Sequence, residues 1–173
     1  FVYTSFQERA TKVSHHNVSK LARAAGDETL QVICNTIASD EARHERAYTK
    51  FMGYLFEQDP TGAVLAFRDV LQNQIVMPAQ NMGGTGGPDL FEHFSAVAQR
   101  LGVYTAEHYA QIVTHLVERW RVESLAGLTG EAAAAQEYVC TLGPRYRRLA
   151  ERASRRATPA PPQAFSWIFG RAA

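Results

Sequence analysis

The chain has no apolar run approaching the ~20 consecutive residues that a membrane-crossing helix requires. It also lacks an excess of charge of either sign. Lys and Arg total 18 against 17 acidic residues, which gives no global field to draw nucleic acid or a membrane surface. Cysteine is scarce: Cys34 and Cys140 lie on helix-like segments without a ligand pattern, which favours reduced structural thiols in a reducing compartment over a disulfide framework. The stretch Gly83-Gly84-Thr85-Gly86-Gly87-Pro88 lacks both the Lys-Ser or Lys-Thr and the preceding buried strand of a phosphate cradle, so it reads as a mobile surface loop. The chain opens on Phe1 with no signal-like or transit-like segment, and targeting information is expected to be missing from it. No internal repeat is visible.

What is present is helical patterning throughout, over a length that suits one domain. The first helix is expected over about Val2 to Ala25, ended by Gly26, with Asp27 capping a second that runs from Glu28 to about Phe56. Asp59-Pro60 stops the second helix, a third runs from about Thr61 to Val76 before Pro78, and Asp89 caps another that Gly102 ends after Leu101. Thr105 caps the next, reaching about Leu125. Shorter helices are expected over Glu131 to Leu142 and Pro144 to Ala157, followed by an extended Pro-rich linker and an aromatic tail over residues 158–173.

Glu41 and His44 carry the chemistry. The positions Leu30, Ile33, Cys34, Ile37, Tyr48, Phe51, Met52 and Leu55 follow helical 3-4 spacing, and extending that stripe places Glu41 and His44 on the face expected to turn inward. An ionised Glu buried there would be paired, neutralised or bound to a cation, and a His one turn away suits the cation. Of all the acidic residues, only Glu41 has a His three places on. Di-iron carboxylate bundles use a Glu-x-x-His from each of two helices and one Glu from each of two others, so this chain holds at most half of such a site. The second candidate is Glu8. In a hairpin about Gly26, Glu8 lies 18 residues before the turn and Glu41 15 residues after it, heights that differ by roughly one helical turn at about 1.5 Å per residue. Its helical neighbours Thr4, Thr11 and His15 are polar, so periodicity alone does not place Glu8 inside.

The stretches Tyr3-Thr4-Ser5-Phe6-Gln7-Glu8-Arg9-Ala10-Thr11, Ile37-Ala38-Ser39-Asp40-Glu41-Ala42-Arg43-His44-Glu45, Phe91 through Tyr104 and Phe165-Ser166-Trp167-Ile168-Phe169 together resemble the plant soluble acyl-carrier-protein desaturases. The resemblance covers essentially the whole chain but only the C-terminal half of the family. The upstream half, with a further single Glu and a first Glu-x-x-His, is not in this sequence, which is expected to be a fragment. The resemblance implies an all-α fold, the C-terminal portion of a ferritin-like di-iron bundle over residues 1–157. It also implies O2-dependent insertion of a double bond into a saturated acyl chain, stearoyl being the expected one, carried on acyl carrier protein. Two iron ions would be the cofactor, reduced ferredoxin the electron donor, a homodimer the assembly and the plastid stroma the location. Glu41 then matches the carboxylate that bridges both irons, and Glu8 and His44 match terminal ligands of one.

Further roles follow from the same resemblance, each beside a plainer alternative. Thr11 resembles a threonine near the oxygen-binding side that could pass on a proton, or it is a packing hydroxyl bonded to its own backbone. Asp40 resembles an aspartate that hydrogen-bonds in the ligand shell and orients an imidazole, or it forms a surface ion pair. Phe91 and Glu92 resemble residues at the mouth of the substrate channel; core packing and a helix N-terminal charge are the alternatives. The run Arg145, Arg147, Arg148, Arg152, Arg155 and Arg156 reads as a solvated face. His15, His16, His93, His108 and His115 read as surface or hydrogen-bonding histidines, and Trp120 and Trp167 as packing residues. Iron storage and a non-catalytic helical interaction module are the rival functions. Storage is disfavoured by the substantial helices and the aromatic tail beyond the ligand pair, and the module is the more serious rival for the isolated chain.

Overall fold

The structure is a computed structural model that describes residues 1–73, 75 and 90–156. Among these there are six α-helices and no strand: α1 (Val2–Ala24), α2 (Glu28–Gln58), α3 (Pro60–Gln72), α4 (Leu90–Arg100), α5 (Ala106–Arg119) and α6 (Gly130–Arg156). The all-α expectation therefore holds. The Gly-rich stretch, Pro78, and the Pro-rich linker with its Trp167 tail lie outside the described residues.

The hairpin that sets the site is built from local chemistry. Gly26 adopts φ +77°, a left-handed conformation that glycine enters without a Cβ clash. The amides of Gly26 and Asp27 donate back to Arg23 O and Ala22 O, closing α1 in a Schellman turn. The Asp27 carboxylate then accepts from Leu30 N at 2.9 Å, capping α2 where its amides have no helical partner. Asp59 repeats the device for α3, accepting from Gly62 N at 2.8 Å, with Pro60 in the first turn, where its missing N–H costs nothing. Thr105 caps α5 as expected, and His108 completes a capping box by accepting from Thr105 N.

α1 packs along α2 and touches α5, α3 lies against α6 and α2, and α5 lies against α6. The core joins Phe6 and Ala10 of α1, Met52 and Phe56 of α2, Val64, Phe67 and Leu71 of α3, Val113 and Leu116 of α5 and Val139 and Leu142 of α6. Each large apolar side chain contributes about 1.5–3 kcal/mol by leaving water. Trp120 sits at the centre as the packing residue expected, its ring 5.0 Å from Phe67 and 5.5 Å from Phe56 and its indole N–H donating to Thr49 O at 3.0 Å.

Two expected boundaries are corrected. α5 ends at Arg119, not near Leu125: Arg121 turns left-handed at φ +50°, and Val122–Ser124 form a short 3-10 helix. The Gln136 side-chain amide of α6 donates to the carbonyls of Val122 and Leu125, so tertiary hydrogen bonds hold this turn against the helical pattern. The two short helices expected after Glu131 are one, with Pro144 inside it. An interior Pro costs about 3 kcal/mol, but Pro144 is exposed while Val139, Leu142 and Gly143 around it are buried. A Cβ at Gly143 would stand 2.3 Å from Thr114 Oγ1, so the close approach of α5 requires a glycine beside Pro144.

Candidate metal centre

The larger correction concerns α2. Its buried residues are Cys34, Glu45, Thr49, Met52 and Phe56, whereas Leu30, Ile33, Phe51 and Leu55 are 39–49% exposed. Of the stripe expected to face inward, Cys34 and Met52 are packed, while the line from Leu30 through Ile33 and Phe51 to Leu55 lies roughly a quarter-turn away, because α1 and the Trp120 end of α5 approach α2 on the side of Thr49 and Met52. Glu41 sits at the boundary between the two faces and is half-buried; His44 stands on the open side with its side chain 56% exposed.

The hairpin nevertheless brings the three expected ligands together. His44 Nδ1 lies 3.1 Å from Glu41 Oε2 and 3.3 Å from Glu8 Oε2, and one ligand atom from each residue falls within 4.8 Å of the others. Donors about 2.1 Å from a shared ion stand at most about 4.2 Å apart, so small side-chain rotations would close the group. Two carboxylates and an imidazole are a suitable donor set for a divalent transition metal. The electrostatics agree with that fit. Partial burial, together with the hydrogen bond and repulsion from Glu41, pushes the Glu8 carboxyl above its usual range. The hydrogen bond to Glu41 raises the His44 imidazole above its ordinary 6.5, with Glu8 adding to the effect. A cation bound by the two carboxylates would stand where the imidazolium of His44 now balances their charge, and would displace its proton.

The other candidate residues fall into place around this group. Thr11 donates to Gln7 O at 3.0 Å and Glu8 O at 3.1 Å, the backbone-bonded arrangement. Asp40 is paired with Arg43 on the surface rather than turned to His44. Phe91 is half-buried and Glu92 exposed in the first turn of α4. Ser95 and Gln99, further along the ridge of Phe91, line a cleft with Tyr104, Tyr109, Tyr146 and Leu149. Arg147 of the basic helix pairs with Glu107.

Glu45 was invisible to the periodicity argument. It is 6% exposed and meets Arg9 at 2.5 Å, Lys12, and His115 Nε2 at 3.5 Å. Burial alone would raise its carboxyl, but hydrogen bonds from His115, Lys12 and Arg9 outweigh that and hold it at about 2. The signal was in the sequence: Glu45, Thr49, Met52 and Phe56 form a second 3-4 stripe, opposite the Arg9 and Lys12 pair of α1.

The fold defines an all-α helical protein with a Glu-Glu-His group that could hold a metal ion, and a single Glu on one helix with a Glu-x-x-His on its antiparallel neighbour is half of the donor set that di-iron carboxylate bundles use. The chain belongs to the fatty acid desaturase family, whose model matches residues 1–169. It is 60% identical over 171 residues to the stearoyl-acyl-carrier-protein 9-desaturase, chloroplastic, of Carthamus tinctorius, 58% to that of Ricinus communis and 59% to that of Spinacia oleracea. Each comparison covers 99% of this chain, and the chain spans 43% of the length of these curated relatives.

Proposed function

We propose that this chain is the C-terminal part of an acyl-carrier-protein desaturase and supplies Glu8, Glu41 and His44 as half of the ligands of a two-iron centre. The observation that carries the reading is the convergence of those three side chains from α1 and α2, in a chain about 60% identical to proteins named for this reaction. By the family resemblance, Glu41 would be the carboxylate shared between the two irons, and Glu8 and His44 would be held by one of them. When bound, the iron pair supplies the capacity to activate O2 for oxidation of an unactivated methylene, chemistry that side chains alone do not provide. The protein's part is to hold anionic oxygen donors and a neutral imidazole at fixed positions. Thr11, one turn beyond Glu8, offers a hydroxyl for proton transfer, whereas Asp40 is engaged by Arg43 in this chain. Phe91 and Glu92 shape the entrance for the acyl chain.

The substrate is a saturated acyl chain, stearoyl, on acyl carrier protein. Reduced ferredoxin delivers the electrons, the complete enzyme is a homodimer, and its location is the plastid. In the complete enzyme, Glu41→Ala removes iron and stearoyl desaturation together. Iron retained in full with normal turnover would reject the bridging role.

A further inference from the structure

Glu8 comes from α1 and Glu41 and His44 from α2, so the spacing of the two helices sets the distance between their donors. Apolar contact does not set that spacing on the stretch between the Gly26 turn and the ligands. There the small side chains of Ala38 and Ala42 leave a groove between α1 and α2, lined also by Lys12, Val13 and His16. Polar ties bracket the groove instead. At its turn end, Ser19 Oγ donates to Asn35 Oδ1 at 2.8 Å. At its ligand end, the Glu45 carboxylate accepts from Arg9 at 2.5 Å and from Lys12. Arg9 follows Glu8 and Glu45 follows His44 in the chain, so the Arg9–Glu45 pair crosses from one helix to the other at the height of the Glu8–His44 contact. A third helix anchors the acceptor. His115 of α5 lies 3.5 Å from Glu45, and one turn on, Thr49 donates to Glu45 O while its own carbonyl accepts from the Trp120 indole.

We propose that Arg9 is a positioning residue, whose ion pair with Glu45 fixes the spacing of α1 and α2 at the metal centre and holds Glu8 within reach of the ion that Glu41 and His44 bind. This rests on the reading of Glu8, Glu41 and His44 as metal ligands. His44 has little packing of its own, its side chain being more exposed than buried, so the geometry of the site has to be imposed from the packed side of the hairpin. The planar guanidinium of Arg9 suits that task, because it fixes direction as well as distance, whereas Lys12 offers a point charge on a flexible stem. Lys12 also stands four residues from Glu8, and Arg9 only one. Without Arg9, Glu45 still has Lys12 and His115. The buried carboxylate therefore stays paired, and what is lost is the tie beside Glu8.

Cobalt(II) titration of the complete enzyme, followed by the visible absorption of the bound ion, tests this. Arg9→Gln should weaken cobalt binding about tenfold, the low end of the range for residues that support a ligand, and shift the absorption bands as Glu8 leaves the ion. Arg9→Lys, which keeps the charge, should recover most of the affinity and the original bands. Gln136→Ala is the control for stability alone. It removes the hydrogen bonds to the Val122 and Leu125 carbonyls, outside the hairpin, and should lower the unfolding temperature with cobalt binding unchanged. Original affinity and bands in Arg9→Gln, with cobalt lost from Glu41→Ala, would overturn the positioning role and leave the ligands standing. Cobalt held normally by Glu41→Ala would overturn the ligand reading and this inference with it. An Arg9→Lys variant no better than Arg9→Gln, or a Gln136→Ala variant as weak as Arg9→Gln, would also overturn the proposal.

Discussion

Glu41 and Glu45 stand one turn apart on α2 and have opposite electrostatic fates. Glu45 turns into the packed face, where Arg9, Lys12 and His115 converge on it and hold its carboxyl at about 2 even though burial opposes ionisation. Glu41 turns to the other face, where two carboxylates share a single imidazole and the Glu8 and His44 groups are pushed toward protonation. One cluster has its cations built in, and the other has a place for one. The same residue type is therefore structural at one position and a candidate ligand at the next turn, and the number of neighbouring bases decides between them.

The sharpest way to break this contrast is to remove each glutamate in turn. In the complete enzyme, Glu41→Ala should lower iron affinity by more than about a hundredfold, beyond the 10–100-fold typical of residues that only support a ligand, with little change in unfolding free energy. Metal titration and denaturant unfolding of the same samples separate the two effects. Glu45→Gln should do the reverse: it leaves Arg9 and Lys12 without their charged acceptor and costs about 2 kcal/mol of stability, with iron affinity changed far less. If Glu45→Gln strips iron as completely as Glu41→Ala does, the division into a structural and a ligating cluster fails.

pH separates the two clusters as well. The Glu45 carboxyl lies below its ordinary 4.5, so its contribution to stability is fully present above that pH and is lost as pH falls toward about 2. His44 is raised above 6.5, so its ion pairs are fully present below 6.5 and fade as pH rises through its raised value. Metal binding needs the neutral imidazole, so apparent iron affinity should increase with pH over that upper window, by up to roughly tenfold per unit for one displaced proton. A competition titration with a metal chelator at several pH values would show it. A flat profile across that window would argue that His44 is not displaced by metal.

The sequence carried the helices, the Gly26 turn and the identity of the three converging residues, because capping chemistry and helix spacing are local. It did not carry which face of α2 is packed. Two 3-4 stripes run along that helix a quarter-turn apart, and the more apolar one, Leu30 to Leu55, is the exposed one. Only the approach of α1 and α5, fixed by Phe6, Ala10 and Trp120 from far along the chain, selects the stripe through Glu45, Thr49 and Met52. The continuity of α6 through Pro144 was hidden for a related reason: the packing of Val139, Leu142 and Gly143 against the rest of the core is long-range. The choice between proton donor and packing hydroxyl for Thr11 was open in the sequence, and its two backbone hydrogen bonds show only what the hydroxyl does within this chain.

The smallest effect isolates one base of the Glu45 cluster. Lys12 is about a quarter exposed, so its ion pair is partly screened, and Lys12→Met should cost no more than about 1 kcal/mol. Its diagnostic readout is Glu45 itself. With Arg9 and His115 still in place, the carboxyl should climb from about 2 part of the way toward its ordinary value, and the midpoint of acid unfolding should rise with it. Carboxyl chemical shifts followed by NMR from pH 2 to pH 6, a range chosen to span roughly both values, would report that movement. They should show the Glu8 titration unmoved, because Lys12 pairs with Glu45 and not with Glu8. If the Glu8 curve shifts together with that of Glu45, the two faces of α2 form one electrostatic unit, and a cation at the open face would be felt directly in the packed one.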